Sequence, residues 1–135
     1  MSSTLTSNRL LAIAALAFGA ASLLHHIHNA EYLSDYPNLP AWLSRARVYA
    51  AWIGVTSIGL FGYALIRFGY RLAGLSMLGF YGLAGLYGLA HYSIAPISAH
   101  TVSMNLTIWL EVATALILLT VVTRCLINQT RQKNS

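Results

Sequence analysis

The chain has 135 residues, of which 57% are hydrophobic and only 8% are charged. A soluble globular domain carries about a quarter charged residues, so this composition excludes that class and indicates an integral membrane protein. The net charge of +5 does not indicate nucleic-acid binding, because the basic residues stand at the ends of apolar segments. There they act as topology determinants and contact anionic lipid head groups.

Four apolar segments approach the length of about 20 residues that a helix needs to cross a bilayer. They cover residues 10–28, 48–66, 72–90 and 101–122. The first segment could also be a signal peptide, because Ala20-Ala21-Ser22 is typical of a cleavage site. We interpret it as a retained helix. The sequence then predicts an all-α, four-helix transmembrane bundle, with residues 1–135 as a single polytopic membrane domain.

The longest polar connection, residues 29–47, contains Pro37 and Pro40 among several aromatic residues. Prolines favour extended or turn geometry, and aromatic side chains are typical of the membrane interface. We expect this loop to lie on the membrane surface, where it could also cover the histidines next to it.

Glycines recur along the third span, and four of them fall within a sector of about 120° when the residues are placed 100° apart. These are Gly74, Gly82, Gly85 and Gly88. A face of this kind usually packs against another helix backbone. The partner helix could belong to this chain, to a second copy of it or to another membrane protein, and a flat lipid or cofactor is the alternative occupant.

The basic residues also predict the orientation of the bundle. With four spans, both termini lie on the same side, together with six of the eight lysine and arginine residues. The side with the excess of positive charge faces the cytoplasm. We therefore predict cytoplasmic termini in the inner membrane, with all five histidines at the outer face.

The end of the first span is rich in metal-binding side chains. His25, His28 and Glu31 follow one another at spacings of three, which is how one helix offers several ligands to a metal. His91 and His100 flank the third and fourth spans at the same outer level. We predict a metal site drawn from His25, His28, His91 and His100, with Glu31 as an optional oxygen ligand. Asp35 could orient a histidine, and the alternative is that these histidines are merely interfacial.

Glu111 is the one carboxylate in the body of an apolar span. Inserting such a residue costs about 2.5–3.5 kcal/mol, so it marks a functional site by default. It lies about 16 Å along the helix from His100, so the two can share an ion only if the connection before the fourth span is re-entrant or the helix starts deeper in the membrane. We predict that Glu111 is a catalytic proton carrier beneath the histidines. The alternative is a protonated structural residue hydrogen-bonded to Thr56 or Ser57.

Three functions are compatible with these features. The first is a metal-dependent protein, holding Zn, Cu or Fe, that acts on a lipid-soluble or small substrate. The second is a b-type haem protein with two histidines as axial ligands. The third is a non-catalytic accessory subunit of a larger membrane complex, joined through its glycine-rich faces.

Overall fold

The computed structural model describes residues 2–133 and the side chains of residues 8–131. Within this range the chain is helical and contains no β-strand. Its helices are α1 (Ser2–Glu31), α2 (Arg45–Arg67), α3 (Arg71–Gly85), α4 (His91–Ile94) and α5 (Val102–Lys133). The 3₁₀ turn Leu86–Ala90 joins α3 to α4, and two further 3₁₀ turns, Leu33–Asp35 and Ile97–Ala99, lie in loops. Residue 1 and residues 134–135 of the predicted domain lie outside the described residues.

Four helical segments are long and apolar enough to cross a membrane, which confirms the predicted all-helical chain with four candidate spans. They are Asn8–Glu31, Arg45–Arg67, Arg71–Ile94 and Val102–Arg131. The predicted spans lie inside these segments, except that Thr101 precedes the fourth. The first helix continues past the predicted end at residue 28 as far as Glu31.

The four segments pack as a bundle. Helices α2 and α5 each contact both α1 and α3, whereas α1 and α3 touch only slightly across a diagonal. The core lies mainly between α1, α3 and α5 and includes Leu11, Phe18, Leu75, Leu78, Ala115 and Leu118. Helix α2 is the least buried of the four, so much of its apolar surface faces outward.

The glycine-rich face of the third span lies against other helices of the same chain. Helices α2 and α3 approach so closely that a Cβ atom on Gly74 would be 2.5 Å from the Gly62 carbonyl oxygen. Gly82 faces Leu119 of α5, and a Cβ atom on Gly85 would overlap the Phe18 ring of α1. Close contact of this kind is the usual role of small residues between membrane helices.

A glycine also ends α2. Gly69 adopts a φ of 91°, which is accessible to glycine without strain. The Tyr70 N–H then donates to the Leu65 carbonyl and the Gly69 N–H to the Ile66 carbonyl. These bonds satisfy the last carbonyls of α2. The chain can therefore reverse within a few residues and start α3 beside α2.

Candidate functional site

Glu111 and two histidines of α1 meet inside the bundle. Glu111 is 3% exposed and His25 is 2% exposed. The Glu111 carboxylate lies 3.7 Å from His25 Nε2 and 3.8 Å from His26 Nδ1. On the opposite side, a Cβ atom on Gly88 would be 3.2 Å from Glu111 Oε2. The glycine thus leaves the space that the carboxylate occupies.

This arrangement differs from the sequence-based alternative in which α2 holds Glu111. Ser57 of α2 is exposed and donates its hydroxyl to the Ile53 carbonyl instead. Because α1 continues to Glu31, His25 lies six residues, or about 9 Å, before the end of the helix. It therefore reaches the depth of Glu111, which His100 does not.

Asn29 links two of the histidines. Its Nδ2 atom lies 3.0 Å from His25 Nε2 and 3.3 Å from His91 Nε2, so one amide group can donate to both imidazoles. The two rings are 5.4 Å apart between centroids. The other amide atom, Asn29 Oδ1, is buried without a hydrogen-bond partner. An unpaired buried acceptor costs about 1–3 kcal/mol, so this amide is held at a cost in stability.

The hydrogen bonds of His25 indicate which ring nitrogen carries the proton. Thr107 donates its hydroxyl to the Met104 carbonyl at 3.0 Å. Thr107 Oγ1 can then accept from His25 Nδ1, which lies 3.4 Å away. The Nε2 atom is left with its lone pair and accepts from Asn29. A neutral imidazole with a free Nε2 lone pair is the form that binds metals.

His100 is held in the same way. Its Nδ1 atom lies 3.1 Å from the Pro96 carbonyl, which can only accept, so Nδ1 carries the proton and Nε2 the lone pair. A backbone carbonyl in this role is the usual support of a metal-binding histidine. The His100 ring lies 6.0 Å from the His91 ring and 5.4 Å from the Tyr92 ring. His25, His91 and His100 therefore form a continuous row.

His26 is turned differently from His25. Its Nδ1 atom lies 2.9 Å from the Ser22 carbonyl one turn below, so it donates there. The nitrogen that faces Glu111 therefore carries a proton and is not available as a ligand. His26 was not among the ligands predicted from the sequence.

The loop between α1 and α2 covers the row of histidines through Tyr36. The Tyr36 ring is buried against His91, with 5.1 Å between the ring centroids, and its hydroxyl lies 2.9 Å from His28 Nδ1. Burial raises the pKa of the Tyr36 phenol to about 12. The phenol therefore stays neutral at physiological pH. The loop does reach over the histidines, as the sequence suggested.

His28 and Glu31 are placed apart from the buried group. His28 bonds to Tyr36 in the outer layer, and Glu31 points toward α2. The Glu31 carboxylate accepts from Arg45 Nη2 and from the Tyr49 hydroxyl, each at 2.7 Å. These contacts fasten α1 to the start of α2. Asp35 is exposed and bonds to Ser34, away from the histidine rings.

Among the residues that the structure describes, no group of three or more His, Cys, Asp or Glu side chains is already arranged to hold a metal ion. The site does offer the buried Glu111 carboxylate. His25 Nε2 and His91 Nε2 both face the Asn29 amide with their lone pairs, and His100 Nε2 is a third lone-pair nitrogen nearby. The predicted ligand set of His25, His28, His91, His100 and Glu31 stays a prediction.

Asn29 and Tyr36 were not among the sequence-based site residues. Asn29 lies one helical turn after His25, and this i, i+4 spacing could have identified it. Tyr36 lies in a loop with several other aromatic residues, and no periodicity distinguishes the buried ring from its exposed neighbours.

Comparisons with known proteins leave the site to be interpreted from its own geometry. No known family model matches the chain, and neither a characterised protein nor a solved structure shows significant similarity to it.

Proposed function

We propose that this is a multi-pass inner-membrane protein whose buried histidine–carboxylate site binds one transition-metal ion. The proposed ligands are His25 Nε2, His91 Nε2 and the Glu111 carboxylate. The observation that carries the proposal is the convergence of both imidazole nitrogens on the Asn29 amide, with Glu111 Oε2 3.7 Å from the first of them.

The spacing of these atoms supports a shared ion. Two ligands that each lie about 2.0–2.1 Å from a tetrahedral ion are about 3.4 Å apart. The observed 3.7 Å between His25 Nε2 and Glu111 Oε2 needs only a small movement to reach that value. Asn29 Nδ2 lies between the two imidazole nitrogens, so an ion that binds both must displace it. The unpaired Oδ1 atom makes this amide the least well satisfied group of the site.

The donor set also indicates the kind of metal and of chemistry. Two imidazoles and one carboxylate suit Zn or Fe and leave coordination positions open, as in sites that act on a substrate. The two imidazoles alone would also suit Cu. We propose that the ion acts as a Lewis acid or redox centre on a lipid-soluble or small substrate. In this arrangement Glu111 takes part as a ligand, closer to the metal than the proton carrier predicted from the sequence.

The test is metal content and affinity of the detergent-purified protein. We expect about one Zn, Fe or Cu per chain by elemental analysis, and Co²⁺ should give visible absorption bands when it enters the site. His25→Gln, His91→Gln and Glu111→Gln should each lower the affinity by more than about 100-fold, because the loss of a ligand exceeds the 10- to 100-fold effect of its supporting residues. His28→Gln and Glu31→Gln are the controls, since they lie outside the buried group.

Equal metal content in all five variants would refute the proposed ligand set. A Soret band in the purified protein would instead favour the haem b alternative, in which two histidines bind the iron axially. A protein with neither metal nor haem would be best explained as an accessory subunit.

A further inference from the structure

A groove between α1 and α2 runs along the outside of the bundle, away from the histidine site. It has a volume of 450 Å³ and an almost entirely apolar lining. Small residues of α1 form its floor, and Leu16 and Leu60 flank it with exposed side chains. On α2 the lining extends from Trp52 to Tyr63, which corresponds to about 16 Å along the helix.

A second, more polar pocket of 260 Å³ lies at the Tyr63 end of this groove, and Tyr63 lines both spaces. Arg67, Arg71 and Asn8 line the polar pocket, and Arg71 Nη1 donates to Asn8 Oδ1 at 2.7 Å. A long apolar groove thus ends at two guanidinium groups.

Among the described residues, no carboxylate pairs with either of these two arginines. The chain has only three acidic residues, Glu31, Asp35 and Glu111, and all three belong to the other end of the bundle or its interior. Within the described part of the chain, the only carboxylate paired with an arginine is Glu31, which binds Arg45. The two guanidinium groups at the Arg67 end are thus available to an anion from outside the described part of the chain.

We infer that one anionic phospholipid binds here, with its phosphate at Arg67 and Arg71 and one acyl chain in the groove between α1 and α2. The length of the groove supports this occupant. The hydrocarbon core of a bilayer is about 30 Å thick, so the groove extends over about one leaflet. Basic pockets between membrane helices are known binding sites for anionic head groups.

The binding of one lipid can be measured by native mass spectrometry of the detergent-purified protein. We expect one dioleoylphosphatidylglycerol to be retained per chain and dioleoylphosphatidylcholine to be lost. Each basic residue near an anionic head group contributes roughly a factor of five, so Arg67→Gln combined with Arg71→Gln should lower the affinity about 30-fold. Arg124→Gln combined with Arg131→Gln removes the same charge from α5 and should change it less than about two-fold.

The apolar half of the site has its own test. Leu60→Trp fills the groove and leaves both arginines in place, so it should displace the lipid. Leu110→Trp, at a similarly outward-facing position on α5, should not. The comparison of Leu60→Trp with Leu110→Trp also tests lipid binding if the double arginine variant fails to fold.

Three results would overturn the inference. The first is equal retention of phosphatidylcholine and phosphatidylglycerol. The second is a loss of phosphatidylglycerol affinity in the α5 control variants as large as that in the Arg67 and Arg71 variant. The third is tight binding of oleate without phosphatidylglycerol, which would identify a free fatty acid as the occupant. None of them bears on the metal site, because the groove variants do not touch His25, His91 or Glu111.

Discussion

His25 Nε2 lies 3.7 Å from Glu111 Oε2 in the interior of the bundle, although one residue belongs to the first span and the other to the last. An ionised carboxylate is very costly in an apolar interior unless it is paired or bound to a metal, and the imidazole offers no fixed positive charge. The pair therefore needs either a proton or a metal ion. Both can be tested by substitutions that keep the shape of the side chains.

Glu111→Gln is the most informative single change. It preserves the shape and removes the negative charge, so we expect folding and expression close to wild type but metal affinity lower by more than about 100-fold. Metal titration and thermal unfolding measure the two effects on the same sample. Glu31→Gln removes an exposed carboxylate and should leave metal binding unchanged. A Glu111→Gln protein with full metal affinity would show that Glu111 is a structural hydrogen bonder.

Asn29→Asp should strengthen metal binding. The new carboxylate oxygens would lie between His25 Nε2 and His91 Nε2, where the Nδ2 atom now donates to both. We expect the affinity for Zn²⁺ to rise at least about ten-fold, because a carboxylate is a better ligand than an amide nitrogen. Calorimetric titration measures this. Asn38→Asp, at an exposed position in the loop between α1 and α2, is the matched control. An unchanged affinity in Asn29→Asp would contradict the proposed position of the ion.

Gly88→Ala should disturb the site through the carboxylate. The new methyl group would lie 3.2 Å from Glu111 Oε2, closer than an ordinary contact, so the side chain must shift by a few tenths of an ångström. We expect metal affinity to fall by about ten-fold, in the range found for residues that support a ligand. Gly79→Ala adds a methyl group to the same membrane span, Arg71–Ile94, with its nearest atom 3.8 Å away, and should have no effect.

Tyr36→Phe should change how the stability depends on pH in alkali. Burial raises the pKa of the phenol from 10.0 to about 12, so the folded protein holds this proton more tightly than the unfolded chain. The contribution of the protonated Tyr36 phenol to the free energy of unfolding is fully present below pH 10 and is lost as the pH rises from 10 to 12. Between pH 8 and pH 12, the temperature of thermal unfolding should therefore fall less in Tyr36→Phe than in wild type. Tyr70→Phe, at an exposed position, should follow the wild-type curve.

The orientation of the bundle is a separate prediction. Six basic residues on the side of the termini against two on the other predict that both termini face the cytoplasm. A reporter enzyme that is active only in the cytoplasm should work when fused after Ser135, and one that is active only outside should not. The reverse pattern would place the histidine site at the cytoplasmic face.

Much of the fold could be predicted from the sequence because hydropathy alone determines which segments can cross a bilayer. Arginines mark the limits of the second span, and the apolar run between them can only be interpreted as a membrane-spanning helix. The end of the first helix could not be found in this way. His25, His28 and Glu31 are polar enough to indicate a boundary, yet backbone hydrogen bonding carries the helix through them to Glu31.

That error of a few residues had a larger effect on the predicted site. Because α1 continues to Glu31, His25 lies deep enough to contact Glu111, whereas the depth comparison made from the sequence concerned His100 only. Side-chain direction was the second difficulty. Periodicity places Glu31 in line with the histidines, but Arg45 and Tyr49 supply a charge and a hydroxyl that draw it toward α2. Such partners depend on the loop between α1 and α2, which has no regular pattern.

The close approach of Gly88 to Glu111 has a consequence for how this protein can evolve. A methyl group at position 88 and a carboxylate at position 111 compete for the same volume, so neither position can change freely while the other stays fixed. Among homologous sequences, glycine at 88 should therefore accompany glutamate at 111, and larger residues at 88 should appear where the carboxylate has been replaced by a shorter side chain. A lineage that has lost the buried carboxylate should therefore show paired changes at these two positions.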